Sequence, residues 1–153
     1  MTEAPRLEFV FEARVTIAPT VDMGETPRGH QRMIPITGGA VEGPNFTAEV
    51  LPGGADWQII RPDGVAELTA RYVLRTPDGT RIAVVNRALR HAPPDINARL
   101  LANEKVDPAR VYFRGTPTFA SPSPAHDWLN KSIFVCTGER WPDGVKIAFF
   151  RVS

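Results

Sequence analysis

Five polar residues, Asp56, Gln58, Glu67, Thr69 and Arg71, stand among strand-forming neighbours in LPGGADWQIIRPDGVAELTARY, the stretch from Leu51 to Tyr72. A carboxylate that moves a proton, a guanidinium that holds an anionic oxygen and a phenol that donates a hydrogen bond form a sufficient set for acid–base chemistry without a cofactor. Asp56 or Glu67 supplies the first, Arg71 the second and Tyr72 the third. Trp57 and Gln58 would add a wall of apolar bodies with a few fixing groups, the usual make-up of a small-molecule pocket.

Whether these side chains meet depends on a turn. Pro62-Asp63-Gly64 reverses the chain between two strand-like runs, so the stretch reads as a hairpin. With Asp63-Gly64 as a two-residue loop, Asp56 faces Arg71, Gln58 faces Thr69 and Ile60 faces Glu67. Polar residues then share one face, and hydropathy favours this register. With a three-residue loop and a bulge every pairing shifts by one and the faces become mixed; the turn chemistry slightly favours that arrangement. On an open sheet an Asp56–Arg71 pair is a surface salt bridge worth about 0–1 kcal/mol. In a barrel the same pair lines a pocket, and the residues alone weigh the two equally.

Other chemistry finds less support. His30, His91 and His126 lack ligand spacing, so no metal is expected. The glycine-rich segments TGGAVEG and PGGA open no helix with a following lysine, and bulges or tight turns explain them better than phosphate binding. Cys136, in the apolar run SIFVCTG, reads as an inert buried thiol. No serine sits in a nucleophile elbow. Trp128 reads foremost as a plug for one end of a barrel and otherwise as a pocket residue, and Asn130 is either part of that structural turn or a donor to a bound carbonyl.

The elements that must position these groups are mostly strands. LEFVFEARVTI alternates apolar and polar residues from Leu7 to Ile17, the period of a half-buried strand. Pro-Asp-Gly recurs at 62–64, 77–79 and 142–144, each time between strand-like runs. The first two turns join strands near 55–61, 66–76 and 80–87; the third joins about 132–140 to 145–152. QRMIPI, FTAEVL and RVYFR are further strands. Two short helices are expected: DINARLLANEK capped by Asp95, and SPAHDWLNKS capped by Ser123 with Pro124 at its first position. Fifteen prolines and twelve glycines exclude long helices. Many strands, short turns and no dividing linker predict one all-β domain over 1–153, a closed antiparallel barrel in which no edge is left to pair.

Composition limits the partners. The chain has 153 residues and a formal charge of +1, with no basic cluster of the kind that tracks nucleic acid. No apolar run reaches the roughly 20 residues of a membrane helix, and no secretion signal is visible, so a cytoplasmic location is expected. A single cysteine excludes an internal disulfide. The expected partner is a small molecule, with no cofactor, nucleic acid or membrane. An outer face carrying Phe149, Phe150 or Val152 suggests a homodimer or other homo-oligomer, because large exposed apolar patches are unusual on monomers.

The segment PITGGAVEGPNFTAEVLPGGADWQIIRPDGVAELTARYVLRTPDGTRI resembles the family described as domain of unknown function 3237, also called uncharacterised protein family 0311. VYFRGTPTFASPSPAHDWLNKSIFVCTGER fits the same family through its Tyr-Phe-Arg, Pro-x-Phe and Trp-Leu-Asn signatures. NEKVDP departs by placing Asn103 where glycine is usual, and RALRHAPPDINAR is the least family-like stretch. The resemblance implies a barrel of the allene-oxide-cyclase and dirigent type, a group that binds apolar or aromatic molecules inside the barrel. It implies a ligand cavity, with Asp56, Trp57, Arg71 and Tyr72 as lining, and a lyase, isomerase or cyclase without cofactor as one use of it; the alternative is a non-catalytic binder or interaction module. Analogy of fold does not by itself license a reaction.

Overall fold

The computed structural model describes residues 2–153. The alternating N-terminal run forms β1 (Leu7–Ile17), with Phe11, Ala13 and Val15 buried and Arg14 and Thr16 outside. There follow β2 (Val21–Thr26), β3 (Gly29–Gly43), β4 (Phe46–Val50), β5 (Ala55–Ile60), β6 (Ala66–Arg75) and β7 (Arg81–His91). Helix α1 (Pro94–Leu101), β8 (Tyr112–Ala120), β9 (Ile133–Trp141) and β10 (Gly144–Val152) complete the chain, with a 3-10 turn at Pro124–Leu129 before β9.

All pairings are antiparallel, in the order β1-β10-β9-β8-β7-β6-β4-β3-β2, with β5 between β3 and β6 and with β1 also paired to β3. That last pairing closes the sheet into an eight-stranded barrel. Two of its staves are broken: β1 with β2 along one side of β3, and β4 with β5 along the other. Where β1 crosses β3 the backbones nearly touch. A Cβ on Gly39 would lie 2.1 Å from the Arg14 carbonyl oxygen, and its φ of +143° is one that other residues avoid.

All three Pro-Asp-Gly turns sit at hairpin tips, joining β5 to β6, β6 to β7 and β9 to β10. At the first, the Gly64 amide donates to the Arg61 carbonyl and the Arg61 amide to the Val65 carbonyl, both at 2.9 Å. Gly64 has a φ of +87°, and the Asp63 carboxylate accepts from the Val65 amide at 3.1 Å. This is the three-residue loop, and it overturns the register that hydropathy favoured. Asp56 pairs with Ala70, Gln58 with Leu68 and Ala55 with Arg71. The cause is Pro62. Its ring fixes φ near −65°, which suits the first position of a type I turn, and the positive φ then falls on Gly64.

The two ends of the barrel differ in chemistry. At one, Phe11 stacks on Phe46 with centroids 4.8 Å apart and meets Phe149 at 4.9 Å; Phe119 meets Phe134 at 5.0 Å. Trp128, on the 3-10 turn, closes this end edge-on to Phe46 at 6.4 Å and tilted to Phe134 at 5.9 Å. Ser123 caps that turn by accepting from the Ala125 amide at 3.3 Å, as the sequence predicts. Helix α1 lies beyond the other end, with Ile96 and Leu100 buried against Val106. It is capped by position rather than by Asp95: Pro93 is the N-cap residue, and no side chain bonds there. Phe149 points into the core, whereas Phe150 lies outside with the exposed Leu7, Phe9 and Ile133. Among the described residues no helix is long and apolar enough to cross a membrane.

Candidate functional site

Strand parity builds a cavity at the α1 end of the barrel. Its wall comes from Ile34 and Ile36 on β3, Leu68, Ala70 and Tyr72 on β6, Phe113 on β8 and Val145 and Ile147 on β10. Into this apolar wall project Asp56 and Gln58 from β5, Asn86 and Arg90 from β7, and Arg140 from β9. The space open to the centres of water molecules is about 50 Å³. One water occupies on the order of 10–15 Å³ on that measure, so the cavity exceeds a single solvent site.

The polar groups here are unusual in being incompletely matched. Gln58 donates from Nε2 to Asp56 Oδ2 at 2.9 Å. Asp56 Oδ1, Gln58 Oε1 and Arg90 Nε are buried and have no hydrogen-bond partner among the described residues. Buried polar atoms in folded proteins nearly always find partners, so three orphans in one cavity set it apart from the rest of the core. Arg90 is only 3% exposed, and its guanidinium lies 6.0 Å from the Phe113 ring centroid. Arg32, also buried, stands near this group and donates to Thr20 Oγ1 at 3.3 Å. Arg140 donates to Asn103 Oδ1 at 2.8 Å and to the Gly144 carbonyl at 3.4 Å.

Burial dominates the titration of the cluster. It pushes the Asp56 carboxyl above the ordinary carboxylate range, against the Gln58 hydrogen bond and the attraction of Arg90, Arg140 and Arg32. As a residue Asp56 is half-buried, but its Oδ1 is shut off from solvent, and the enclosed oxygen decides the direction. Burial lowers Arg90 to about 10, so it stays a cation at neutral pH; Asp56 opposes that shift, and Arg140 and Arg32 reinforce it. Burial also raises the Tyr72 phenol, with smaller contributions from Cys136 and Asp56, so Tyr72 is a hydrogen-bond donor rather than a phenolate.

Of the residues that the sequence singles out, Asp56, Gln58 and Tyr72 share the cavity. Arg71, Glu67 and Trp57 do not. With the observed register they face solvent: Trp57 is 50% exposed and pairs with Thr69, and Glu67 is 3.5 Å from Arg61 in a surface ion pair. Asp56 and Arg71 are thus on adjacent strands but opposite faces. Trp128 and Asn130 lie at the aromatic end. Asn130 is exposed and fully engaged, bonding both the amide and the carbonyl of Ser121 and reaching Asp127 Oδ1.

Arg32, Asn86, Arg90 and Arg140 are missed by the sequence reading, although Asn86 and Arg90 carried a signal. In RIAVVNRALRH the inward parity of Ile82, Val84 and Ala88 also takes Asn86 and Arg90. Ending that strand near 87 hides the arginine; β7 continues to His91. Cys136 is buried as predicted and takes a hydrogen bond from Asn86 Nδ2 at 3.3 Å, and burial raises its thiol.

The family model described as protein of unknown function DUF3237 matches residues 5–152. A UPF0311 protein of Clostridium acetobutylicum is 41% identical over 147 residues, covering 95% of this chain and 93% of its own. The crystal structure of a conserved protein of unknown function from Rhodopseudomonas palustris superposes with a TM-score of 0.94 at 37% identity, over the whole of both chains. A hydroalkoxylation enzyme of Penicillium herquei is 33% identical over 84 residues, 55% of this chain and 56% of that one.

Proposed function

The chain belongs to the DUF3237 family, and we propose that its barrel binds a small organic molecule and moves a proton on it without a cofactor, as a lyase, isomerase or cyclase. The observation that carries this reading is Asp56: a carboxyl enclosed by apolar walls, held on one oxygen by Gln58 and unpartnered on the other. A carboxyl raised by burial holds its proton further toward neutral pH, which suits a general acid that becomes a base after transfer.

The similarity to a fungal hydroalkoxylation enzyme supports the same type of step. Hydroalkoxylation adds an O–H across a carbon–carbon double bond. In such a reaction the acid protonates one alkene carbon, the hydroxyl oxygen bonds to the other, and the hydroxyl proton returns to the conjugate base; atoms balance with no added reagent. Asp56 fits the acid and base roles, and Tyr72 is placed to donate a hydrogen bond to the substrate. The test is to incubate the protein with unsaturated phenols and alcohols and to look for products of unchanged mass and altered retention. Turnover that disappears in Asp56→Asn supports the reading. Binding without turnover, equal in the two proteins, would leave only a binder.

A further inference from the structure

We propose that the cavity selects an organic anion, a small apolar or aromatic body with one acidic oxygen group, and docks that group on Arg90 and Arg140 with Arg32 behind them. This rests on the reading of the barrel as a small-molecule site and goes beyond it by naming the ligand class. The argument begins with charge. Two guanidiniums, Arg90 and Arg140, and a single carboxylate, Asp56, line the cavity; Arg32 stands behind them with Asp22 beside it, and Asp143 acts on Arg140 from outside the lining. Even with Asp56 ionised the cluster is left with an excess of positive charge, and with Asp56 protonated the excess is larger. A cationic ligand would enter against that field, and a neutral one would leave it unbalanced.

Donor geometry points the same way. A guanidinium carries five N–H donors. Arg32 and Arg140 are each tied from one side, to Thr20 and to Asn103 with the Gly144 carbonyl. These bonds fix the side chains and leave donors over. Arg90 is almost completely enclosed, and its Nε has no partner among the described residues. Its guanidinium lies over the face of Phe113, which is apolar. Buried arginines with spare donors are suited to bidentate binding of a carboxylate or a similar oxyanion. The apolar lining supplies the rest: Ile34, Leu68, Phe113 and Ile147 offer surface to a hydrocarbon or ring and no further charge. Asp56 Oδ1 has no partner among the described residues either; in its protonated form it is one more donor to the anion.

Three ligands of nearly equal size separate the possibilities: benzoate, benzamide and benzylammonium. Binding is followed by the ring-proton signals of Phe113 and Tyr72, which report the cavity, and affinity is read from the titration. Benzoate is expected to shift both rings and to bind at least about tenfold tighter than the other two, the factor expected for hydrogen bonds to a charged group. Arg90→Met is expected to weaken benzoate by a similar factor. Because that variant removes a buried side chain, circular dichroism must first show that it folds; if it does not, Arg140→Gln decides in its place. Arg71→Gln, on the outer face, is expected to leave benzoate affinity unchanged.

Benzamide or benzylammonium shifting the same rings as strongly as benzoate would overturn the anion class and leave the cavity reading standing. So would benzoate affinity unchanged in Arg90→Met and Arg140→Gln. Failure of all three ligands to perturb either ring at millimolar concentration would overturn both, with solvent as the tenant of the orphaned atoms.

Discussion

Replacing Asp56 by asparagine is expected to make the protein more stable at neutral pH. Asn is nearly isosteric with protonated Asp, and its amide oxygen can still accept from Gln58 Nε2 as Asp56 Oδ2 does. What it removes is the enclosed negative charge. Burial raises the Asp56 carboxyl above its value in the unfolded chain, so between those two values the folded protein binds the extra proton. Stability of the parent protein is therefore greatest below the unfolded value, near 3.8, and declines as pH rises through the folded value. Each pKa unit of elevation corresponds to about 1.4 kcal/mol. In a chain of 153 residues that is about 3–6 °C of melting temperature. Scanning calorimetry from pH 4 to pH 8 gives the answer directly. The two proteins should melt together at the acid end and diverge upward in pH, with Asp56→Asn the more stable. A variant less stable than the parent at pH 7 would refute the reasoning. It would mean that Arg90, Arg140 and Arg32 hold ionised Asp56 more firmly than burial opposes it.

Other perturbations probe the surroundings. A Cβ on Gly138 would lie 2.7 Å from three carbons of the Phe113 ring, so Gly138→Ala is expected to cost about 1–3 kcal/mol in a denaturant melt and to displace the ring against which Arg90 rests. Arg71→Ala and Trp57→Ala, on the outer face, are expected to stay within about 0.5 kcal/mol of the parent and to leave ligand binding intact. Trp128→Ala opens the aromatic end and is expected to cost about 2–3 kcal/mol, below the range for a fully buried aromatic because Trp128 is only half-buried, while binding at the arginine end persists. The exposed Leu7, Phe9 and Ile133 form an apolar outer face; a homodimer through it would appear in light scattering at micromolar concentration and be lost in Ile133→Glu.

Much of the barrel was legible because strand alternation and turn chemistry are local. β1 carries its period over eleven residues, and Pro-Asp-Gly marks three tips. The site was harder. Hydropathy pairs Asp56 with Arg71 by assuming that polar residues share a face with polar residues, which holds for a sheet with one wet side. Here the inward face of β6 is Leu68, Ala70 and Tyr72, and the carboxylate sits among them. The turn was the better guide, since proline geometry does not depend on what surrounds it. Arg90 was hidden for a related reason: an arginine at the end of an apolar parity, just before Pro93-Pro94, looks like the start of a loop. Only closure of the barrel reveals that it points inward.

The contrast between the two ends makes the polar cluster hard to explain as architecture. Phe11, Phe46, Phe119, Phe134 and Phe149 fill one end with aromatic contacts, and Trp128 closes it. The same strands could continue that solution to the other end. Instead they place a carboxyl, an amide and guanidinium groups in a cavity, at the cost of desolvating every one of them. Replacing such a cluster with apolar residues is often neutral or stabilising. A sequence that satisfies local propensity, alternation and turn chemistry elsewhere breaks the rule of satisfied burial here, and such local breaches are characteristic of working sites. Asp56→Asn separates the two accounts. Charge retained for the fold would make the variant weaker, whereas charge retained for a ligand makes it more stable and less able to act.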